Sequence, residues 1–283
     1  MADMIQVISQ AFMAIRERPR NFIYSALWSF AISMVFLAVF MVFYFVLLFT
    51  SFGAAAAPAA GNLIGSFGVL LMFGIIMLAA VLSSPLQTVA SMLYAKGSLE
   101  GRDIGLGDYI SSVKEKYLRL LFAHIILGIF WVLALAAVLL VLGGIGYAIY
   151  LFAGKSLLPD TSSSYILLAV AALVGIVTLL AVYVGLSLLT LLYMPYVFSK
   201  QKLDRGLLGS LFYCISFARS RAWDILAYML AMFVVYIAFM VMTMALSMIP
   251  CIGYVMTLVG MVAGFAISFA ASYVLLYLVK DAP

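Results

Sequence analysis

The sequence predicts an all-α, polytopic membrane protein. It has six transmembrane helices arranged as three helical hairpins, each preceded by a cytoplasmic amphipathic helix, with both termini inside. Three observations predict this. The chain of 283 residues is 68% hydrophobic and only 9% charged, against about 25% charged in soluble domains, and its mean hydropathy is +1.27. Four stretches carry no Asp, Glu, Lys or Arg: residues 21–95, 120–154, 161–199 and 225–279. The basic residues fall almost entirely in alternate connections. Such a composition excludes a disordered chain, a collagen, a coiled coil, a disulfide-rich secreted domain and a nucleic-acid binder.

The stretches set the helix count. A hydrocarbon core of about 30 Å needs about 20 helical residues, so the first and last stretches hold two spans each and the middle two hold one each. The spans are placed at 22–50, 63–94, 117–152, 164–198, 222–248 and 252–279. Runs such as "VLALAAVLLVLGG" do not alternate, which excludes the transmembrane β-strand pattern. The breaks between spans are "SFGAAAAPAAGN" (51–62) and "GKSLLPDTSSS" (154–164), expected as outer loops, and "SMIPCIGY" (247–254), expected as a tight hairpin. Pro85, after Ser83 and Ser84 in span two, removes a backbone donor and is expected to kink that helix.

Orientation follows from charge. Arg16, Arg18 and Arg20 precede span one. Lys96, Arg102, Lys114, Lys116 and Arg119 lie between spans two and three. Lys200, Lys202, Arg205, Arg219 and Arg221 lie between spans four and five, and Lys280 follows span six. Six crossings place all of these on one side and leave only Lys155 on the other, which predicts N-in and C-in by the positive-inside rule. The sequence pI of about 9.1 is then a consequence of topology. The first apolar run is too long and too late for a cleavable signal, and no lipidation motif is expected. Cys214 and Cys251 are predicted on opposite faces and therefore unpaired.

The chain is expected to be a single integral membrane domain, 1–283, with pseudo-repeats 1–96, 97–199 and 200–283. Each repeat opens with an amphipathic segment. In the first, Ile5, Ile8, Phe12 and Ile15 form the apolar stripe. In the second, Leu106, Ile110, Val113 and Tyr117 do so, and in the third Leu208, Leu211, Phe212 and Ile215. Spans two, four and six end alike, at Tyr94, Tyr193 and Tyr277. An aromatic belt at the membrane interface is the competing explanation of those tyrosines. The amphipathic segments are expected to lie in the headgroup layer of anionic inner-leaflet lipid. The candidate headgroup contacts are Arg16, Arg18, Arg20, Lys114, Lys116, Arg119, Arg219 and Arg221.

Chemistry inside the spans is sparse. His124, in span three, is the only histidine, and a polar contact to a neighbouring helix is its expected role. Asp224 opens span five, where negative charge suits a helix N-terminus, with Arg219 or Arg221 as candidate partners. Two apposed intraspan carboxylates, a two-histidine zinc site and a phosphate-binding loop are all missing from the sequence. No catalytic, cofactor-binding or metal-ligating residue is therefore assigned. Small residues at Gly260, Gly264 and Ser268 form a ladder suited to close helix packing, within the chain or between two copies.

The stretch "LLYMPYVFSKQKLDRGLLGSLFYCISFARSRAWDILAYML" (191–230) resembles a broad prokaryotic six-helix family related to the membrane domain of some glycerophosphodiester phosphodiesterases. Pro195, Ser216, Arg219 and Trp223 carry the likeness, with Pro250, Gly253 and Tyr277 near the end. The resemblance implies six helices and a multi-pass protein of the prokaryotic plasma membrane, without a settled activity. The opening "AFMAIRERPR" is also similar to the start of six-span permease subunits of exporters. The expected function is non-enzymatic, in inner-leaflet lipid handling or as a membrane scaffold. The alternative is the permease subunit of a multicomponent transporter, with a protein partner at the cytoplasmic face. An intramembrane enzyme centred on His124 ranks third.

Overall fold

The charge-free stretches become long helices. The computed structural model describes the backbone over residues 2–54, 58–153, 162–200, 203–247 and 253–280, and side chains over 4–45, 74–144, 173–200, 203–245 and 259–280. Among the described residues all regular structure is helical: α1 (Ala2–Glu17), α2 (Pro19–Ala54), α3 (Pro58–Leu99), α4 (Leu106–Ala153), α5 (Ser162–Thr190), α6 (Tyr193–Ser199), α7 (Gly206–Ser220), α8 (Ala222–Ser247) and α9 (Gly253–Val279). Six segments are long and apolar enough to cross a membrane. They lie in α2, α3, α4, α5 with α6, α8 and α9. By length and composition the chain is a multi-pass membrane protein.

Four expectations need correction. The expected loop 51–62 is largely helical: α2 runs to Ala54, and α3 starts at Pro58, where a missing N–H costs nothing in the first turn. The second amphipathic segment is no separate helix but the first turns of α4. Nothing after Gly107 breaks it, so a 48-residue helix forms, about 70 Å long and more than twice the hydrocarbon thickness. Span four is interrupted at Leu191–Leu192, because Pro195 cannot donate to the carbonyl four residues earlier. The fourth correction concerns which faces are buried.

In α1 the buried residues are Met4, Val7, Ile8, Ala11 and Ala14, while Ile5 is 67% exposed. In α7 they are Ser210, Leu211, Cys214 and Ala218, while Leu208 and Phe212 are about two-thirds exposed. At the start of α4, Tyr109 is buried and Leu106 and Ile110 are exposed. In each case the contact face is shifted from the predicted stripe, in α1 and α7 towards smaller side chains, which let backbones approach, and in α4 towards Tyr109, which stacks on Trp28. Part of the larger apolar stripe is left facing outward. Residues 154–161 and 248–252, with Lys155, Pro250 and Cys251, lie outside the described residues.

The core lies at the end of the bundle that carries the charged connections. There α1 packs on α9, α8 and α2, and α6 packs on α4, α7 and α9. Tyr94, Tyr193, Phe198, Phe269, Leu211 and Leu278 are buried in it. Tyr94 and Tyr193 thus face protein rather than an interface, whereas Tyr277 is 41% exposed. Trp28 of α2 stacks on Tyr109 of α4 at 4.3 Å, and Phe22 meets Phe269 of α9 edge-on at 6.0 Å.

The α3–α4 connection is clamped by Asn21, which is fully buried. Its Nδ2 donates to Ser98 Oγ at 3.1 Å and to the Arg102 carbonyl at 3.0 Å, and its Oδ1 accepts the Ile104 N–H at 2.9 Å. Arg18 pairs with Asp103 at 3.3 Å beside it. Gly101 has φ +72°, a conformation that favours glycine, so the turn closes without strain.

Burial pushes the Cys214 thiol up to about 12. Since the thiolate is the nucleophile, a Cys251→Ser background is expected to react with maleimide at pH 8 at least about 100-fold more slowly when folded than in denaturant. Equal rates in the two states would show that α7 is not seated as described.

Candidate functional site

Just beyond the core, on its membrane side, polar side chains from four helices meet around one cavity of about 570 Å³. On α2, Ser29 and Ser33 are one turn apart. On α3, Ser84, Gln87, Thr88 and Ser91 follow the three–four–seven spacing of one helix face. His124 enters from α4, and Gly264, Phe265 and Ser268 enter from α9. The floor forms where each helix enters the core, next to Ala90, Ala123 and Phe269, all essentially inaccessible. The cavity is open: Ser33, Gln87, Gly264 and Ser268 are exposed. Helix α3 packs against α2, α4 and α9, whereas α4 and α9 make little or no direct contact. At the core end α6 fills the space between those two helices by packing on both.

Pro85 shapes the α3 wall. It leaves the Val81 carbonyl without its usual donor, and Ser84 Oγ supplies one at 2.8 Å. From α4, the Tyr117 hydroxyl donates to the Leu82 carbonyl at 3.0 Å and the Tyr109 hydroxyl to that of Leu86 at 3.4 Å. With Ser83 Oγ on the Ala80 carbonyl at 3.2 Å, four side-chain donors serve the backbone around the proline, and α3 remains helical through it. Ser84→Ala is expected to destabilise by about 1 kcal/mol, and to cost little when Pro85→Ala has restored the N–H. A double-mutant cycle in detergent melts checks this. Additive effects would show that the hydroxyl does not replace the missing donor.

His124 is held in one tautomer. Its Nδ1 lies 2.7 Å from the Leu120 carbonyl, which can only accept, so Nδ1 carries the proton. With the ring neutral, Nε2 accepts from Thr88 Oγ1 at 3.4 Å. The expected contact to a neighbouring helix is therefore to α3. Neither Asp nor Glu is among the described residues of the cavity lining.

The candidate headgroup contacts divide. Arg16, Arg20, Lys114 and Arg219 are exposed, Arg20 with its guanidinium 5.5 Å from the centre of the Tyr24 ring. Arg18 is engaged with Asp103, and Arg221 lies over the Phe217 ring. Arg119 is half-buried. Lys116 is also half-buried and turned inward: its Nζ donates to the Phe198 carbonyl at 3.1 Å and sits 4.1 Å from that ring's centre. It lies at the C-terminal end of α6, where cations are favoured. Asp224 forms no ion pair with Arg219 or Arg221 within 4 Å; the pairs among the described residues lie elsewhere.

The small-residue ladder divides too. Gly260 faces Phe239 and Thr243 of α8, about 4 Å from an added Cβ. At Gly264 a Cβ would meet nothing within 4 Å, and Gly264 and Ser268 line the cavity.

The residues that sequence reading missed are Ser29, Ser33, Gln87, Thr88 and Ser91. Their signal was helical spacing of polar groups within charge-free spans, which becomes visible only when several helices are compared. Comparison of the chain with protein-family models, curated proteins and solved structures finds no match.

Proposed function

We propose that the chain is a non-enzymatic membrane protein that binds a small hydrogen-bonding group, free or as a lipid headgroup, in the cavity between α2, α3, α4 and α9. Its role is in lipid handling at the inner leaflet of the prokaryotic plasma membrane. The observation that carries this reading is the convergence of polar stripes from four apolar helices on one cavity. A single intraspan serine satisfies itself on its own helix. Six hydroxyls, an amide and an imidazole around one open space exceed what packing needs, and their remaining hydrogen-bonding capacity faces the cavity.

A non-enzymatic role is supported by His124, whose Nδ1 is held by the Leu120 carbonyl where a catalytic triad has an orienting carboxylate. The positive-inside rule supports an inner location for the core end, with N-in and C-in termini and three hairpins. Arg16, Arg20, Lys114 and Arg219 then meet anionic lipid. The gap between α4 and α9 supports entry from the bilayer.

The test is native mass spectrometry of protein extracted gently from its own membrane, comparing wild type with Gln87→Leu and Ser268→Leu. Both side chains are exposed to the cavity, so the fold is expected to persist. Co-purified ligand is expected to fall about tenfold, as for the loss of one or two hydrogen bonds. Unchanged ligand occupancy in folded variants would overturn the assignment. The permease-subunit alternative is favoured by one observation: α7 presents exposed Leu208 and Phe212 beside Arg205 and Arg219. A stoichiometric ATPase retained in the same spectra would promote it.

A further inference from the structure

Resting on the cavity assignment above, we infer the chemical class of its ligand: an uncharged group bearing several hydroxyls, such as a sugar or polyol. The inference comes from counting hydrogen-bond donors. Of the six lining hydroxyls, four direct their protons into the protein. Ser33 donates to the Ser29 carbonyl at 2.8 Å, Ser84 to that of Val81 at 2.8 Å and Ser91 to that of Thr88 at 3.3 Å. Thr88 donates to His124 Nε2 when the ring is neutral, because Nδ1 is committed to Leu120. Each of these hydroxyl oxygens keeps acceptor capacity. Beside these acceptors the Gln87 amide and the Ser29 and Ser268 hydroxyls can also donate, so the lining is mixed with acceptors in excess, and its complement is a neutral group whose O–H groups both donate and accept.

Charge narrows the class. An oxyanion such as a phosphate needs converging donors or a cation, and the described lining supplies no Lys or Arg. A cation fits acceptors but needs a countercharge at this depth, and no Asp or Glu is among the described lining residues. A neutral polyol needs neither. About 570 Å³ accommodates a group of that kind, within the usual range of small-molecule sites. The same chemistry arises from a glycolipid headgroup entering between α4 and α9 or from a free sugar.

The experiment uses full-length protein purified in a detergent without a sugar headgroup and reconstituted into phosphatidylcholine nanodiscs. Equal mole fractions of glucosyl-diacylglycerol or phosphatidic acid are added, and bound lipid is read by native mass spectrometry. A parallel arm adds methyl glucoside and reads the melting temperature. Every arm is repeated with the double variant Ser33→Ala/Ser268→Ala, whose side chains are both exposed. The expected result is about tenfold enrichment of the glucosyl lipid over phosphatidylcholine, lost in the variant. Methyl glucoside that stabilises wild type but not the variant would also support the inference and identify a soluble polyol as the source. Enrichment of phosphatidic acid alone, lost in the variant, would overturn the polyol class while leaving the cavity assignment standing. Indifference of both proteins to every probe overturns the class. If the variant also retains its native co-purified ligand, the cavity assignment fails with it.

Discussion

Asn21→Leu is expected to lower stability by about 3 kcal/mol or more, through the junction of α2, α3 and α4. The side chain is fully buried and makes three hydrogen bonds of 2.9–3.1 Å, to Ser98, Arg102 and Ile104. Leucine keeps the volume but leaves the Ile104 N–H and the Arg102 carbonyl without these bonds. Ile104 is 1% exposed, so water cannot replace the lost acceptor. Each buried orphan costs about 1–3 kcal/mol, whereas a lost bond whose partners reach water costs about 1 kcal/mol. Ser98→Ala, which removes one donor–acceptor pair, is therefore expected to cost about a third as much. Denaturation in mixed detergent micelles, followed by Cys214 labelling in the Cys251→Ser background, measures both. A loss below about 1 kcal/mol for Asn21→Leu would show that the connection is held by other contacts, such as the exposed Arg18–Asp103 pair.

Gly97→Ala is expected to destabilise by about 1–3 kcal/mol, the range for overpacking a filled core. A Cβ at this position would collide with Ile104 Cγ1 and Cδ1 and would lie 3.1 Å from the Arg102 carbonyl oxygen. The isoleucine is buried and its backbone is tethered by Asn21, so neither neighbour moves freely. Helix propensity acts in the opposite direction, since alanine is better than glycine within α3 by up to about 1 kcal/mol. A net loss therefore understates the clash, and a net gain would show that the helix and the connection do not approach this closely. Ile104→Ala alone creates a cavity and costs about 2–5 kcal/mol. Combined with Gly97→Ala it is expected to cost less than the sum by more than about 1 kcal/mol, because the new methyl occupies vacated space.

Neither residue stood out in the sequence. Asn21 marked only the start of a charge-free stretch, and Gly97 closed the "ASMLYAKG" end of span two. Their importance arises from contacts 77 to 83 positions apart for Asn21, and from Ile104 wedging back onto Gly97 after a turn. The cavity shows a similar pattern. Along the sequence Pro85 with Ser84 reads as a kink, His124 as a lone histidine, and Gly264 with Ser268 as a packing ladder. Their meeting needed the placement of α3 between α2, α4 and α9. The charge of Lys116 and its place in a basic connection suit a lipid contact, and the tertiary structure adds a contact to the Phe198 carbonyl at the end of α6.

The sequence by itself determined that the chain is helical, that six segments can cross a membrane, and where most of them run. Those are properties of long apolar runs, and each run carries its own evidence. Only the tertiary structure decided which face of each helix meets protein. In water an apolar face is a buried face, but a membrane helix can turn its large apolar side chains to lipid and its small or polar ones to its neighbours. Ile5, Leu208 and Phe212 therefore point outward while Ala11, Cys214 and Ala218 pack inward. By the same physics, hydroxyls that looked incidental along each helix come together as the lining of one cavity.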